Sequence, residues 1–459
     1  MTAKLHDIAT VAARALTLCE PSANEIRRLE ATANGVMRLV KKETASSNDV
    51  VDVVFGGSFA KGTWLRGDAD IDLFVKFKPS VDEKKFEQLG TAIGLRALKN
   101  HNPELRYSDH PYVEAFVEGV RINVVPCYDV EQGKWLSAAD RSPFHTELVR
   151  GNFDDLKRSH ARLLKRFLKS AGIYGAEISI GGFSGYVSEV LVLRFGSFEA
   201  VLQAAAALQE RQVIAVGDRY DPDVVKGFHS PLVIIDPVDE RRNLGTAVSP
   251  ENVARFALAA RAFIEKPSLR FFRLQERTAM ASAKTLLPNV LIVEITHRKR
   301  SPDTVWGQVK RAMNAISKQL EVAGFAVLRS SCVTDEQTHA SFAFLLESLT
   351  LPRFVKRKGP EVFRRKDASS FITGAKSRPH VTWIDKEMRI ATLVDRKATD
   401  AGKFVKSLFR DRIENSGIPR ELVADRNKIR IYSGSDRKIG GLARKVVGEV
   451  VSTEHFIGG

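Results

Sequence analysis

Asp70 and Asp72 stand one residue apart in the run DIDLFVKF, residues 70–77. Successive side chains of a strand alternate faces, so both carboxylates project from one side. Two adjacent carboxylates repel unless a cation sits between them, and a hard divalent ion such as Mg²⁺ prefers oxygen ligands of this kind. Ile71, Leu73 and Val75 alternate with them and would hold the strand against a core. Upstream, Gly56, Gly57 and Ser58 form a turn that can bring backbone N–H groups and a hydroxyl close to a phosphate, because glycine has no Cβ to obstruct the approach. A phosphate-holding turn ahead of a cation-holding pair is the layout that nucleotidyl transfer requires. Asp-x-Asp alone is usually a solvated strand or turn, and Gly-Gly-Ser alone usually only a turn; their order inside an apolar strand is the informative part.

These residues need a scaffold, and hydrophobic periodicity supplies it. Residues 1–48 read as helical, with Ser22 capping through Glu25 ahead of Ile26, Leu29, Ala33 and Val36. Strands are expected at 50–55, 70–77 and 105–108, a helix at 82–99, and a strand pair at 112–118 and 120–125 turned at Gly119. This makes a mixed α/β domain over 1–150. Residues 151–270 read as mainly helical, with a buried strand at 231–236 and helices through Leu163–Leu168, Gly185–Val192 and Asn252–Ile264. A β-α-β-β order at 290–296, 306–323, 325–332 and 341–347 suggests a ferredoxin-like half within a third domain, 271–352. Residues 353–459 form a basic, mixed tail domain. The fold class is therefore α+β and multidomain.

The 459 residues suffice for about three or four domains. Lys and Arg number 71 against 55 Asp and Glu, a net charge of +16 that calls for a polyanionic partner. No apolar run reaches membrane length and the N-terminus carries no signal-peptide pattern, which leaves nucleic acid as the expected partner. Cys19, Cys127 and Cys332 are too widely spaced for a disulfide framework or a zinc site, which suits a reducing cytoplasm.

Several long stretches go further. GSFAKGTWLRGDADIDLF, RYSDHPYV, RINVVPCY, DRSPFH, LLKRFLKSAGIYGAE, GGFSGYVSEVL, DPVDERRN and IEKPSL, between residues 57 and 269, resemble the archaeal class I CCA-adding enzymes, tRNA nucleotidyltransferases of the DNA polymerase β superfamily. The resemblance implies a polymerase β-like head, a helical nucleotide-reading domain, a ferredoxin-like body and a tail that grips the tRNA stem. It implies Mg²⁺ on Asp70 and Asp72, with Gly57, Ser58 and Lys61 at the triphosphate. His145, Lys165 and Tyr174 would contact phosphates and sugar, Arg242 the base edge, and His110 the primer end. It implies tRNA, CTP and ATP as partners, and it admits a homodimer.

The residues weigh these roles differently. Lys165 could equally lie on a solvated helix face, Tyr174 in a core, and Arg242 in a salt bridge with Asp239 or Glu240. His145 alone would more often be structural, and His110 before Pro111 is extended or in a turn.

One position departs from the pattern. The third carboxylate of the family should stand at residue 123, where this chain has Asn. A neutral amide oxygen can ligate a metal but brings no charge, and the expected loss in rate is on the order of 10²–10⁴. Asn123 keeps an inactive tRNA-binding protein in view as a rival, beside a poly(A) polymerase or an oligoadenylate synthetase-like enzyme. In the tail, Lys356, Arg357, Lys358, Arg364, Arg365 and Lys366 interleave with Phe354, Phe363 and Phe371, a pattern suited to an RNA stem and its single-stranded end, or to a solvated basic face. The stretch 426–445 supports the same reading weakly.

Overall fold

The computed structural model describes residues 2–107, 110–218, 220–274, 281–376, 381–424, 428–436, 439–454 and 456–457. Parts of the expected strand 105–108 and of the basic stretches 353–378 and 426–445 lie outside the described residues. The chain divides into two units, Met1–Gln275 with Thr453–Gly459, and Glu276–Ser452.

The first unit opens with α1 (Thr2–Cys19) and α2 (Ala23–Thr44). Ser22 and Glu25 form the expected reciprocal capping box at the start of α2. A sheet follows from β1 (Val50–Gly56), the short helix α3 (Gly57–Lys61), β2 (Asp70–Phe77), α4 (Glu83–Ala97), β3 (Glu104–Tyr107), β4 (Pro111–Val117) and β5 (Val120–Tyr128). Its order is β1-β2-β5-β4-β3, with β2 and β5 parallel and the other pairs antiparallel. The β4–β5 hairpin turns through Glu118 and Gly119, both at positive φ, as a two-residue turn between right-twisted strands requires. Ile71, Leu73, Val75, Val113, Ala115, Ile122 and Val124 face one core, covered by α2 and α4. The odd-numbered residues of β2 are buried there, so the even-numbered ones, Asp70 and Asp72, belong to the other face.

The second core is helical. It is built by α5 (Arg141–Asn152), α6 (Asp155–Ser170), α7 (Gly185–Phe195), α8 (Phe198–Ala206) and α10 (Pro250–Glu265), with β6 (Gln212–Ile214), α9 (Pro222–Lys226) and β7 (Leu232–Ile234) between α8 and α10. Phe167, Phe198, Phe263, Phe271 and Phe272 pack edge-on and stacked at its centre. This core draws on both sides of residue 150. Ile8, Ala12, Ala15 and Cys19 of α1 recur at helical spacing and bury here, as does Phe456.

In the second unit, β8 (Val290–Thr296), α11 (Pro302–Ala323), β9 (Val327–Thr334) and β10 (His339–Leu346) make the β-α-β-β half. The chain then builds a separate small sheet from β11 (Phe354–Glu361), β12 (Thr382–Ile384) and β13 (Arg389–Asp395), with α12 (Arg365–Lys376) after β11. It returns through α13 (Ala401–Asp411), α14 (Ile413–Ser416), β14 (Arg430–Ser433) and α15 (Gly441–Val451). β14 pairs with β8, giving the order β14-β8-β10-β9 and completing the ferredoxin-like sheet. Segment 353–459 is thus shared between two sheets.

Candidate active site

The sheet register assembles the site. Asp72 of β2 pairs in register with Asn123 of β5, and Asp70 with Arg121. On the far side of β5, Asn123 pairs with Glu114 of β4. Direct cross-strand partners share a face, so Asp72, Asn123 and Glu114 form one row opposite the α2–α4 core. Gly56 pairs with Asp72 from β1, and at Gly57 the chain bends into α3 at φ +63°. A Cβ on Gly57 would collide with Asp72 Oδ2, so glycine here leaves the carboxylate its space.

Each acid already has a partner. Arg121 grips Asp70 through Nε at 2.9 Å and also through its second nitrogen, and the pair is half exposed. That bidentate hydrogen bonding comes first in holding the guanidinium more firmly protonated than usual, with the charges of Asp70, Glu114 and Asp72 adding to it against burial. Burial pushes the Asp72 carboxyl up, opposed by an N–H from Asn123 Nδ2 at 2.8 Å and reinforced by the Asp70 charge. Asn123 Oδ1 is buried with no hydrogen-bond partner among the described residues. Two carboxylates and one orphaned amide oxygen on one face fit a divalent cation. Among the described residues no group of three or more His, Cys, Asp or Glu is arranged to hold one.

Beside this row lies a buried charge cluster. Glu189 of α7 is fully buried. Its Oε2 accepts from Lys61 Nζ at 2.6 Å, and its Oε1 from Lys165 Nζ at 2.8 Å and from Thr63 Oγ1 at 2.5 Å. Burial drives a carboxyl upward, but the two lysines outweigh it and hold Glu189 at about 2. Lys165 also donates to Thr63 Oγ1 at 2.9 Å and to Thr63 O at 3.2 Å. All three N–H groups of Lys165 are therefore spent, and the expected direct contact from Lys165 to phosphate finds no free donor. Lys61 donates only to Glu189 among the described residues, and its Nζ lies 5.2 Å from the Tyr186 ring centre. Ser58 is the second residue of the same short helix, and its carbonyl accepts from Thr63 N.

A second cluster centres on Asp236, fully buried after β7. It takes hydrogen bonds from His145 Nε2 at 2.9 Å, Tyr186 Oη at 3.1 Å and Arg242 at 3.3 Å. The His145 ring stacks on Tyr186 at 3.8 Å. Burial comes first in holding His145 below its usual value, with Asp236 opposing. Arg242 remains 43% exposed, so its guanidinium can still meet a ligand. Its partner is Asp236 rather than the neighbouring acids; Asp239 instead takes Arg141 Nε at 2.7 Å. Tyr174 packs its hydroxyl against Gly185, where a Cβ would come within 2.9 Å. Burial pushes that hydroxyl up and keeps it a donor.

His110 is not brought to the carboxylates. Its Nε2 meets Pro126 O at 2.8 Å and its ring lies 5.6 Å from Phe86 of α4, on the core side of the sheet. In the second unit, Lys356 pairs with Asp385 at 2.9 Å and Lys358 with Glu387 at 3.2 Å. Arg357 lies over Phe371 at 5.5 Å. Arg364, Arg365 and Lys366 are exposed beside Phe363, which is 76% exposed. Sequence reasoning missed Glu189, Asp236, Tyr186 and Glu114. A lone acid inside an apolar helix (Glu189) or just after an apolar strand (Asp236) was the available signal.

Three family models match in succession: a nucleotidyltransferase domain over residues 37–145, the second domain of tRNA nucleotidyltransferase over 159–273, and the C-terminal domain of CCA-adding enzyme over 288–428. Among curated relatives, the CCA-adding enzyme of Pyrobaculum neutrophilum is 36% identical over 365 residues, 78% of this chain and 84% of that protein. That of Methanothermobacter thermautotrophicus is 32% identical, covering 78% and 80%. That of Sulfolobus acidocaldarius is 32% identical over 398 residues, covering 86% and 90%.

Proposed function

As the chain belongs to the family of CCA-adding enzymes, we propose that it builds or repairs the 3′-terminal CCA of tRNA from CTP and ATP, without a nucleic-acid template, and releases pyrophosphate. The carrying observation is the row of Asp72 and Asn123 beside Asp70, with Gly57 bending away to admit the carboxylate.

Asp70, Asp72 and Asn123 Oδ1 would hold the divalent cation, taken here as Mg²⁺, which when bound neutralises charge on the phosphates and the reacting oxygens. Lys61, with donors to spare, meets the triphosphate together with the Ser58 hydroxyl and the Gly57 turn. Lys165 anchors Glu189 and so fixes where Lys61 points. The Lys61–Glu189–Lys165 group keeps one net positive charge among buried side chains, where it acts on phosphate with less screening than in bulk water. Tyr174 donates to the sugar or phosphate side. His145 and Tyr186 brace Asp236, which orients Arg242 toward the base edge. The assignment keeps residues 1–150 for the chemistry, 151–270 for reading the nucleotide, 271–352 as the body and 353–459 for the acceptor stem. There Arg364, Arg365 and Lys366 meet phosphates, and shape rather than sequence is read. A cytoplasmic location and a homodimer complete the proposal, the latter checked by light scattering.

The test is tRNA lacking CCA, incubated with each nucleotide. CTP alone should give two additions, ATP alone none, and both together three and then a stop. Unlimited tailing with ATP would assign the chain to the poly(A) polymerases instead. Asn123 favours one second reading, an inactive tRNA-binding protein; tRNA binding without any addition, even after Asn123→Asp, would establish it.

A further inference from the structure

The row that contains Asn123 does not end there. Its next member outward is Glu114, the register partner of Asn123 on β4. Val113, Ala115 and Val117 of the same strand face the α2–α4 core, so Glu114 projects from the catalytic face. Direct partners across antiparallel strands stand about 4.5–5.5 Å apart at Cβ, and a glutamate is one methylene longer than an aspartate. Its carboxylate can therefore reach over the Asn123 amide. Glu114 is 9% exposed, a degree of burial that a carboxylate rarely accepts without a strong partner.

The present partner is Arg106 of β3, whose Nε and second nitrogen both donate to Glu114 Oε1, at 2.9 and 2.8 Å. Arg106 also holds Glu104 at 3.2 Å. It would keep a counter-ion if Glu114 turned toward Asn123, so the turn strands no buried cation. Arg121, gripping Asp70, already stands in the field of Asp70, Glu114 and Asp72 together.

The geometry points to Glu114 as the third carboxylate of the divalent-cation site, moved one strand outward from position 123. Asn123 then contributes its unpartnered Oδ1 while Glu114 contributes the missing charge. This rests on the CCA-adding reading above and adds the residue that keeps Asn123 compatible with turnover.

A double-mutant cycle tests it. Glu114→Gln should lower CMP addition to tRNA by about 100-fold or more in the chain as it stands, yet by only about 3-fold when Asn123→Asp is also present. Equal losses in both backgrounds would overturn the proposal. Arg106→Gln separates a structural ion pair from a catalytic role. It frees Glu114 and should preserve addition, whereas a loss matching that of Glu114→Gln would reduce Glu114 to the pair. Mn²⁺ titrations followed by electron paramagnetic resonance supply a readout independent of turnover. Glu114→Gln should weaken Mn²⁺ binding about 10-fold, and Asn123→Asp should restore it. Unchanged Mn²⁺ affinity would overturn the proposal. If no form incorporated CMP, the assigned reaction would fall and the Mn²⁺ result alone would decide Glu114.

Discussion

Glu189→Gln probes the charge cluster directly. Glu189 is fully buried between Lys61 and Lys165. Burial raises a carboxylate, yet the two ammonium groups bring Glu189 down from 4.5 to about 2. At 1.36 kcal/mol per unit, that displacement corresponds to about 3 kcal/mol of folding free energy at neutral pH. The figure agrees with the range of about 3–5 kcal/mol for breaking a buried ion pair. Glutamine keeps the volume and one acceptor but leaves two buried ammonium groups without a countercharge. The variant should therefore unfold at lower urea with an unchanged slope, about 3 kcal/mol less stable at neutral pH. A carboxylate depressed by folding contributes fully above its ordinary value of 4.5 and loses that contribution as pH falls toward about 2. The gap between parent and variant should accordingly close in acid. A difference below about 1 kcal/mol at neutral pH, the value of an exposed pair, would refute the reasoning, and so would a gap that widens as pH falls.

Gly57→Ala places a Cβ against Asp72 Oδ2 at a positive φ; nucleotide addition should fall by about 100-fold or more while the strain costs about 1–3 kcal/mol, read from kcat and urea midpoints. Arg121→Gln releases the half-exposed Asp70, and Mn²⁺ affinity should rise about two- to five-fold. His145 is held below its ordinary value of 6.5, first by burial, so the unfolded chain takes up the proton first and stability should decline as pH falls below 6.5. His145→Gln should flatten that slope, measured by thermal unfolding across mildly acidic pH.

What could be read from the residues was local. β2 was legible because Asp70 and Asp72 alternate with Ile71, Leu73 and Val75 inside an otherwise apolar run. β8 and the Glu118–Gly119 hairpin followed from similarly short-range signals. The pairing of charges was not legible. Lys61 and Glu189 lie 128 positions apart, and periodicity gives a residue's face without naming what lies opposite. Lys165 therefore looked like a free cation on a basic helix, although all its donors are engaged. His110, which the resemblance set near the primer end, instead meets Pro126 O and lies beside the Phe86 ring on the covered side of the sheet. The ferredoxin-like half was legible over 290–347, whereas its fourth strand, β14, was hidden by the inserted β11–β13 sheet.

Phe456 packs into the same core as Ile8, and Glu454 holds Arg255 of α10 at 2.9 Å. On the ribosome, those positions emerge only after all of 276–452 has been made. The helical core must wait through that interval with a gap where the aromatic ring belongs. Residues 1–275 alone therefore lack two of the contacts that close the first unit, the Phe456 ring in its core and the Glu454 partner of Arg255.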